Sequence, residues 1–172
     1  MSNTIGFNYR TTDYDLNMSN GSMSMFINIL CLSGGRLATT DSQRRLMVFL
    51  AEKNQSVVGL GAAGFDIVDM PWDKKSFDDD KTFMLKVAEG AKNRLGWETL
   101  GYQPNEEFVK VYTAKFANLI NHMTINDINE DAIKEWLECA DDTDPVNPGY
   151  PKCTIHDAYL SCHGCQICTD KI

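Results

Sequence analysis

Between Lys152 and Ile172 the chain reads KCTIHDAYLSCHGCQICTDKI, with four cysteines and two histidines in one short run. Two residues separate Cys153 from His156, and two separate Cys165 from Cys168. A two-residue spacer lets both members of a pair reach one ion from a tight turn. Two such pairs joined by a short hairpin can then close a tetrahedron of three sulfurs and one nitrogen. A segment this short has too little apolar material to fold by burial alone, so ligands or cross-links have to hold it.

The CxxH…CxxC pattern resembles the short zinc-ribbon and zinc-knuckle modules, and the resemblance is confined to this tail. It implies a structural zinc ion. Cys153, His156, Cys165 and Cys168 are the expected ligands, because this set uses both outer pairs whole. Cys162 also forms a C-x2-C pair with Cys165 and has His163 beside it, so it stands as the reserve ligand. Four protein ligands leave no position for water, which makes the expected site structural and not hydrolytic. Zinc contributes about 10–16 kcal/mol to the folding of finger peptides. A disulfide or thiol tail, and a redox pair, are the competing readings of the same cysteines.

Ahead of the tail, residues 141–151 hold three Asp, three Pro and one Gly, the composition of a linker. The expected organisation is therefore a helical globular domain over 1–140, a linker over 141–151 and a metal-binding tail over 152–172. At 172 residues the chain has the length of one domain with a small appendage. The longest nearly apolar run, Met25 to Leu32, is far short of the roughly 20 residues that a spanning helix needs. The polar N-terminus lacks the basic and apolar regions of a signal peptide, which gives the expectation of a cytoplasmic protein with reduced cysteines.

Periodicity predicts a mainly α fold of about five helices after a short N-terminal strand at Ile5, Phe7 and Tyr9. The first helix is expected to open at Ser22, to bury Met23, Phe26, Ile27 and Leu30, and to stop at Gly34. Thr40-Asp41-Ser42-Gln43 resembles a capping box before a second helix that buries Leu46, Phe49 and Leu50. Ser76 and Asp79 frame a third, with Met84, Val87, Ala88, Ala91 and Leu95 on its stripe and Gly96 after its end. Pro104 leads into a fourth, with Phe108, Tyr112, Phe116, Leu119, Ile120 and Met123 aligned. Asn126 or Asn129 caps a fifth, which buries Ile133, Trp136, Leu137 and Ala140.

Other features have plainer readings. Gly59-Leu60-Gly61-Ala62-Ala63-Gly64 matches G-x-G-x-x-G, but Pro71 interrupts any long helix after it, so a connector or packing turn is expected in place of a dinucleotide site. Asp78, Asp79 and Asp80 suit a helix N-terminus. His122 suits the last turn of a helix, Cys31 a small core site, and Trp72, Trp97 and Trp136 core or interface anchors. No Ser-His-Asp or Cys-His motif for nucleophilic catalysis is apparent.

The net charge is −8, and the excess is local: eight acids and one base, Lys134, lie between Thr124 and Asn147. Such a field repels phosphate backbones and anionic membranes and attracts basic partners. The leading expectation is a non-catalytic, acidic protein-interaction module, of an inhibitor or immunity type. It would meet a basic protein through Asp127, Glu130, Asp131, Glu135 and Glu138, with opposite charge speeding encounter. A small enzyme with a carboxylate site in the helical body is the alternative, and a zinc-dependent nucleic-acid binder stands behind both.

Overall fold

Residues 23–35 form an unbroken buried stretch at the centre of the molecule, a computed structural model that describes residues 3–8, 14–139 and 149–169. They belong to α1 (Asn20–Leu37), in which every residue from Met23 to Gly35 is buried. A helix without a polar face has to lie inside, and its neighbours supply the surface. Both α2 (Asp41–Lys53) and α3 (Phe77–Lys92) pack on it, and α4 (Glu106–His122) packs on α3. The Phe26 ring meets Tyr112 and Phe116 of α4 edge-on, at 5.7 and 5.8 Å between centroids. Among the described residues, no helix is long and apolar enough to cross a membrane.

Two small sheets flank the helices. β1 (Thr4–Gly6) lies between β2 (Leu16–Asn17), antiparallel, and β5 (Phe65–Asp66), parallel. β3 (Asn54–Gln55) pairs antiparallel with β4 (Gly61–Ala62). The expected class is observed: a mainly helical chain with a short N-terminal strand. Ile5 is buried in that strand, Phe7 follows it, and Tyr9 lies outside the described residues. The six helices of the described residues are completed by α5 (Glu130–Glu138) and the single turn α6 (Gln166–Thr169).

Several boundaries differ from expectation. Ser19, not Ser22, caps α1, its side chain accepting from the Ser22 N–H at 3.2 Å. The helix also runs through Gly34 and Gly35. A β-carbon on Gly34 would lie 1.8 Å from Met47 Sδ, and one on Gly35 would lie 2.2 Å from the Asp157 carbonyl oxygen. These glycines permit close packing and do not end the helix. α3 stops at Lys92, because Arg94 turns to φ 68°, and Leu95 falls beyond it. Gly96, at φ 84°, opens a 3-10 turn.

On α4 the buried stripe is Val109, Thr113, Phe116, Leu119 and Ile120, whereas Phe108 is 48% exposed and leans on Tyr112. The helical period passes through the smaller Val109 and Thr113 and sets Phe108 on the flank. Asn129 is the cap of α5. That helix buries no residue fully: Ile133 and Trp136 are half-buried, Leu137 is 38% exposed, and Ala140 lies outside the described residues. Among the described residues, only one side of α5 has anything to pack on.

Several polar groups in the core tie the helices together. Asn54 at the end of α2 donates to Ser24 Oγ at 2.8 Å and to Asn28 Oδ1 at 3.0 Å. Ser33 Oγ donates to the Val87 carbonyl at 2.8 Å, joining α1 to α3. Asp80 is 1% exposed and receives the hydroxyls of Ser42 and Ser76, each at 2.9 Å. It thus ties α2 to α3, while Asp78 and Asp79 remain exposed in the first turn. The glycine-rich segment forms the β3–β4 hairpin, with Gly59 and Gly61 at φ 78° and 73°. An antiparallel hairpin is not the strand-to-helix turn of a dinucleotide site.

Candidate metal centre

Residues 149–169 lie against the C-terminal half of α1. The carbonyl of Gly35 accepts from Lys152 Nζ, which also reaches Asp157 Oδ1 at 3.1 Å. Arg36 donates to the Leu32 carbonyl at 3.0 Å and to the His156 carbonyl at 2.9 Å. Arg44 of α2 donates to the Tyr159 hydroxyl at 3.2 Å. Ala158, Tyr159 and Ile167 are buried against the body. Of the expected linker, residues 141–148 lie outside the described residues.

Two turns present the ligand atoms. In the first, the Cys153 sulfur accepts from the backbone N–H groups of Ile155 and His156, and the Asp157 N–H bonds the Cys153 carbonyl at 2.9 Å. The second repeats the arrangement: the Cys165 sulfur accepts from the N–H groups of Ile167 and Cys168. A reverse turn at Ser161–Gly164 joins them, closed by reciprocal backbone bonds of 3.1 and 2.9 Å, with Gly164 at φ 85°. Both C-x2 spacers therefore wrap the first sulfur of the pair in amide donors and set the second ligand beside it.

The four expected ligand residues converge. The donor atoms of Cys153, His156, Cys165 and Cys168 all lie within 4.8 Å of one another. His156 Nδ1 is 3.6 Å from the sulfurs of Cys153 and Cys165 and 3.4 Å from that of Cys168, while Cys153 and Cys168 are 3.6 Å apart. Zinc–sulfur bonds of about 2.3 Å and zinc–nitrogen bonds of about 2.0 Å give tetrahedral edges of ~3.8 Å between sulfurs and ~3.5 Å from sulfur to nitrogen. These four separations lie close to those edges and the other two are within 4.8 Å, so this Cys3His cluster could hold a metal ion. Cys162 is exposed at the tip of the turn and, like the half-buried His163, lies outside the cluster.

The thiols compete for charge when no cation offsets it. Burial works against ionisation of Cys153, but the His156 and Ile155 amides, with the His156 ring and the Cys168 thiol, bring it down to about 6. Burial pushes Cys165 up to about 12 and also raises Cys168, which the neighbouring Cys153 raises further. Three thiolates in contact need a positive ion to coexist. Behind them Cys31 sits in the core, pushed up to about 12 by burial, and takes a hydrogen bond from Gln166 of α6.

The acidic residues named for partner binding are scattered in role. Asp127 Oδ2 accepts from the Thr124 N–H at 2.8 Å as part of a capping box. Glu130 pairs with Lys74 at 2.6 Å and Glu138 with Lys134 at 3.8 Å. Asp131 and Glu135 are exposed, without an ionic partner among the described residues. Beside them a groove of about 650 Å³ has Trp72, Ile128, Ile133 and Leu137 in its lining, with Arg45, Lys74 and Lys75 also present. The folded chain thus brings bases from α2 and the Asp73–Ser76 turn to a segment that is almost purely acidic in sequence.

His122 ends α4 with Nδ1 2.7 Å from the Asn118 carbonyl oxygen and its ring against Tyr14. Trp72 and Trp97 are buried; Trp136 is half-buried and donates to Glu52 Oε2 at 2.8 Å. Gly35, Arg36 and Lys152, which seat the tail, escaped sequence reasoning. The signal for Gly35 and Arg36 was a glycine pair followed by arginine inside a strongly apolar helix, and Lys152 had none. Comparison with protein-family models, with curated proteins and with solved structures finds no match for this chain.

Proposed function

We propose that the protein is a non-catalytic protein-interaction module whose tail binds one structural zinc ion. The observation that carries this reading is the Cys3His cluster, in which four of the six edges measure 3.4–3.6 Å and suit a zinc tetrahedron. Zinc supplies the positive charge that lets three adjacent thiolates ionise, and four protein donors fill its coordination shell. Its work is to fix two turns against α1, a role that needs no exchangeable ligand.

The interaction surface in this reading is the outer side of α5. Asp131 and Glu135 face solvent there, beside a groove with an apolar floor. A basic segment carrying one or two apolar anchors is the partner chemistry that suits both features. Glu130 and Glu138, held by Lys74 and Lys134, form a charged rim that sets register more than affinity.

A native mass spectrum of protein purified without chelator tests both halves. The expected result is one zinc per chain and a basic partner that dissociates as salt rises. Asp131→Lys with Glu135→Lys should lose the partner and keep the zinc. A metal-free chain overturns the zinc reading, and a partner retained by that double variant overturns the surface.

A further inference from the structure

Two sulfurs of the cluster sit where a small oxidant reaches them and where they reach each other. Cys168 is exposed and Cys153 partly so, and their sulfurs are 3.6 Å apart. The third sulfur, Cys165, backs onto the buried Cys31 and Gln166. Cys165 also touches both of these sulfurs, so access, not contact, singles out one pair among the three.

Building on the zinc reading, we propose that Cys153 and Cys168 are an oxidation site at which a hydroperoxide replaces the metal staple with a disulfide. The Cys168 sulfur attacks a peroxide oxygen: an S–O bond forms, the O–O bond breaks, and hydroxide leaves and takes up a proton. The Cys153 thiolate then attacks the sulfenic sulfur of Cys168. The S–S bond forms, the S–O bond breaks, and a second hydroxide is protonated to water. Two thiolates lose two electrons in all and the peroxide gains them. The ion, left with Cys165 and His156 alone, departs into water. The new bond ties the first turn to α6, the two segments that the metal had joined. Docking through Arg36 and Gly35 uses backbone carbonyls of α1, the Asp157 region and His156, so oxidation leaves those contacts in place.

The test starts from protein whose zinc content has been measured, treated with hydrogen peroxide in the presence of a zinc chromophore. The expected result is release of the full zinc equivalent, a mass loss of two hydrogens from the apoprotein, and a Cys153–Cys168 cross-linked peptide in a non-reducing digest. Reductant plus zinc should restore the starting state. Cys162→Ser keeps the ligand set whole and should respond like the parent chain. Zinc absent before peroxide is added defeats the zinc reading. Zinc retained under peroxide, a cross-link through Cys162 or Cys165, or Cys168 ending as a sulfinic acid defeats the oxidation site.

Discussion

In the body, Phe26, Leu30 and Phe116 are withdrawn completely from water and need no ligand to stay there. In the tail, Ala158, Tyr159 and Ile167 reach the core, and four ligand side chains crowd within 4.8 Å of one another. The body gains stability from area, roughly 25 cal/mol for each Å² of apolar surface removed from water. The tail has little area to remove, and its closest contacts set sulfurs side by side, which cannot all ionise without a cation. On the proposed zinc reading one chain uses two means of holding shape, and the seam between them is the C-terminal half of α1. Substitutions on either side can break this separation.

Phe26→Ala should have the largest effect on the body, costing about 3–5 kcal/mol in denaturant melts. It removes a ring that meets both Tyr112 and Phe116. If the two regions are held separately, cysteine accessibility in the tail should change only when the body itself unfolds.

At the seam, Gly35→Ala drives a methyl group into the backbone of Asp157 and Ala158, 2.2 and 3.0 Å from the new carbon. Overpacking of this kind costs about 1–3 kcal/mol. The loss should appear as faster proteolysis within residues 149–169, with helix content by circular dichroism unchanged. Gly34→Ala meets the buried Met47 side chain of α2 instead, with Sδ 1.8 Å from the new carbon. It should lower body stability and leave tail cleavage alone. Equal tail cleavage in the two variants would erase the seam.

Burial raises the Asp80 carboxyl above the usual carboxylate range, more than the Ser76 and Ser42 hydroxyls lower it. The folded state then holds that proton more tightly than the unfolded chain does. The contribution is therefore fullest below the ordinary Asp value and is lost as pH rises through the folded one. Asp80→Asn should flatten that part of the stability–pH curve, read as Tm from pH 3 to 7, without changing metal content. The smallest effect belongs to Glu130→Gln. The Lys74–Glu130 pair is mostly exposed, so its loss should change stability by about 1 kcal/mol or less.

The same division governs what was legible in the sequence. The ligand set could be read because a two-residue spacer carries its geometry with it: Cys153 with His156, and Cys165 with Cys168, needed no knowledge of the rest of the chain. The second helix was legible for a similar reason, since Thr40 and Gln43 cap it locally. Features that depend on distant partners were not. Gly34 and Gly35 look like a stop until Met47 and Asp157 are known to press against them. β1 was legible from Ile5 and Phe7, but its pairing with β5 sixty residues away was not, because β5 is only two residues long. The acidic count around α5 gave no hint that Lys74 and Arg45 stand nearby. Ile133, Trp136 and Leu137 have helical spacing, but periodicity does not say how much surface will be there to cover them.

Amide hydrogen exchange on the chain with zinc bound, and again after chelation, tests the separation most directly. The account predicts that chelation strips protection from the turns at Cys153–His156 and Cys165–Cys168 and from the last turn of α1. The amides of α3 and α4, and of α1 from Met23 to Leu30, should remain protected. A chain that loses protection throughout on chelation, or one whose tail exchanges at the same rate with and without zinc, would contradict it.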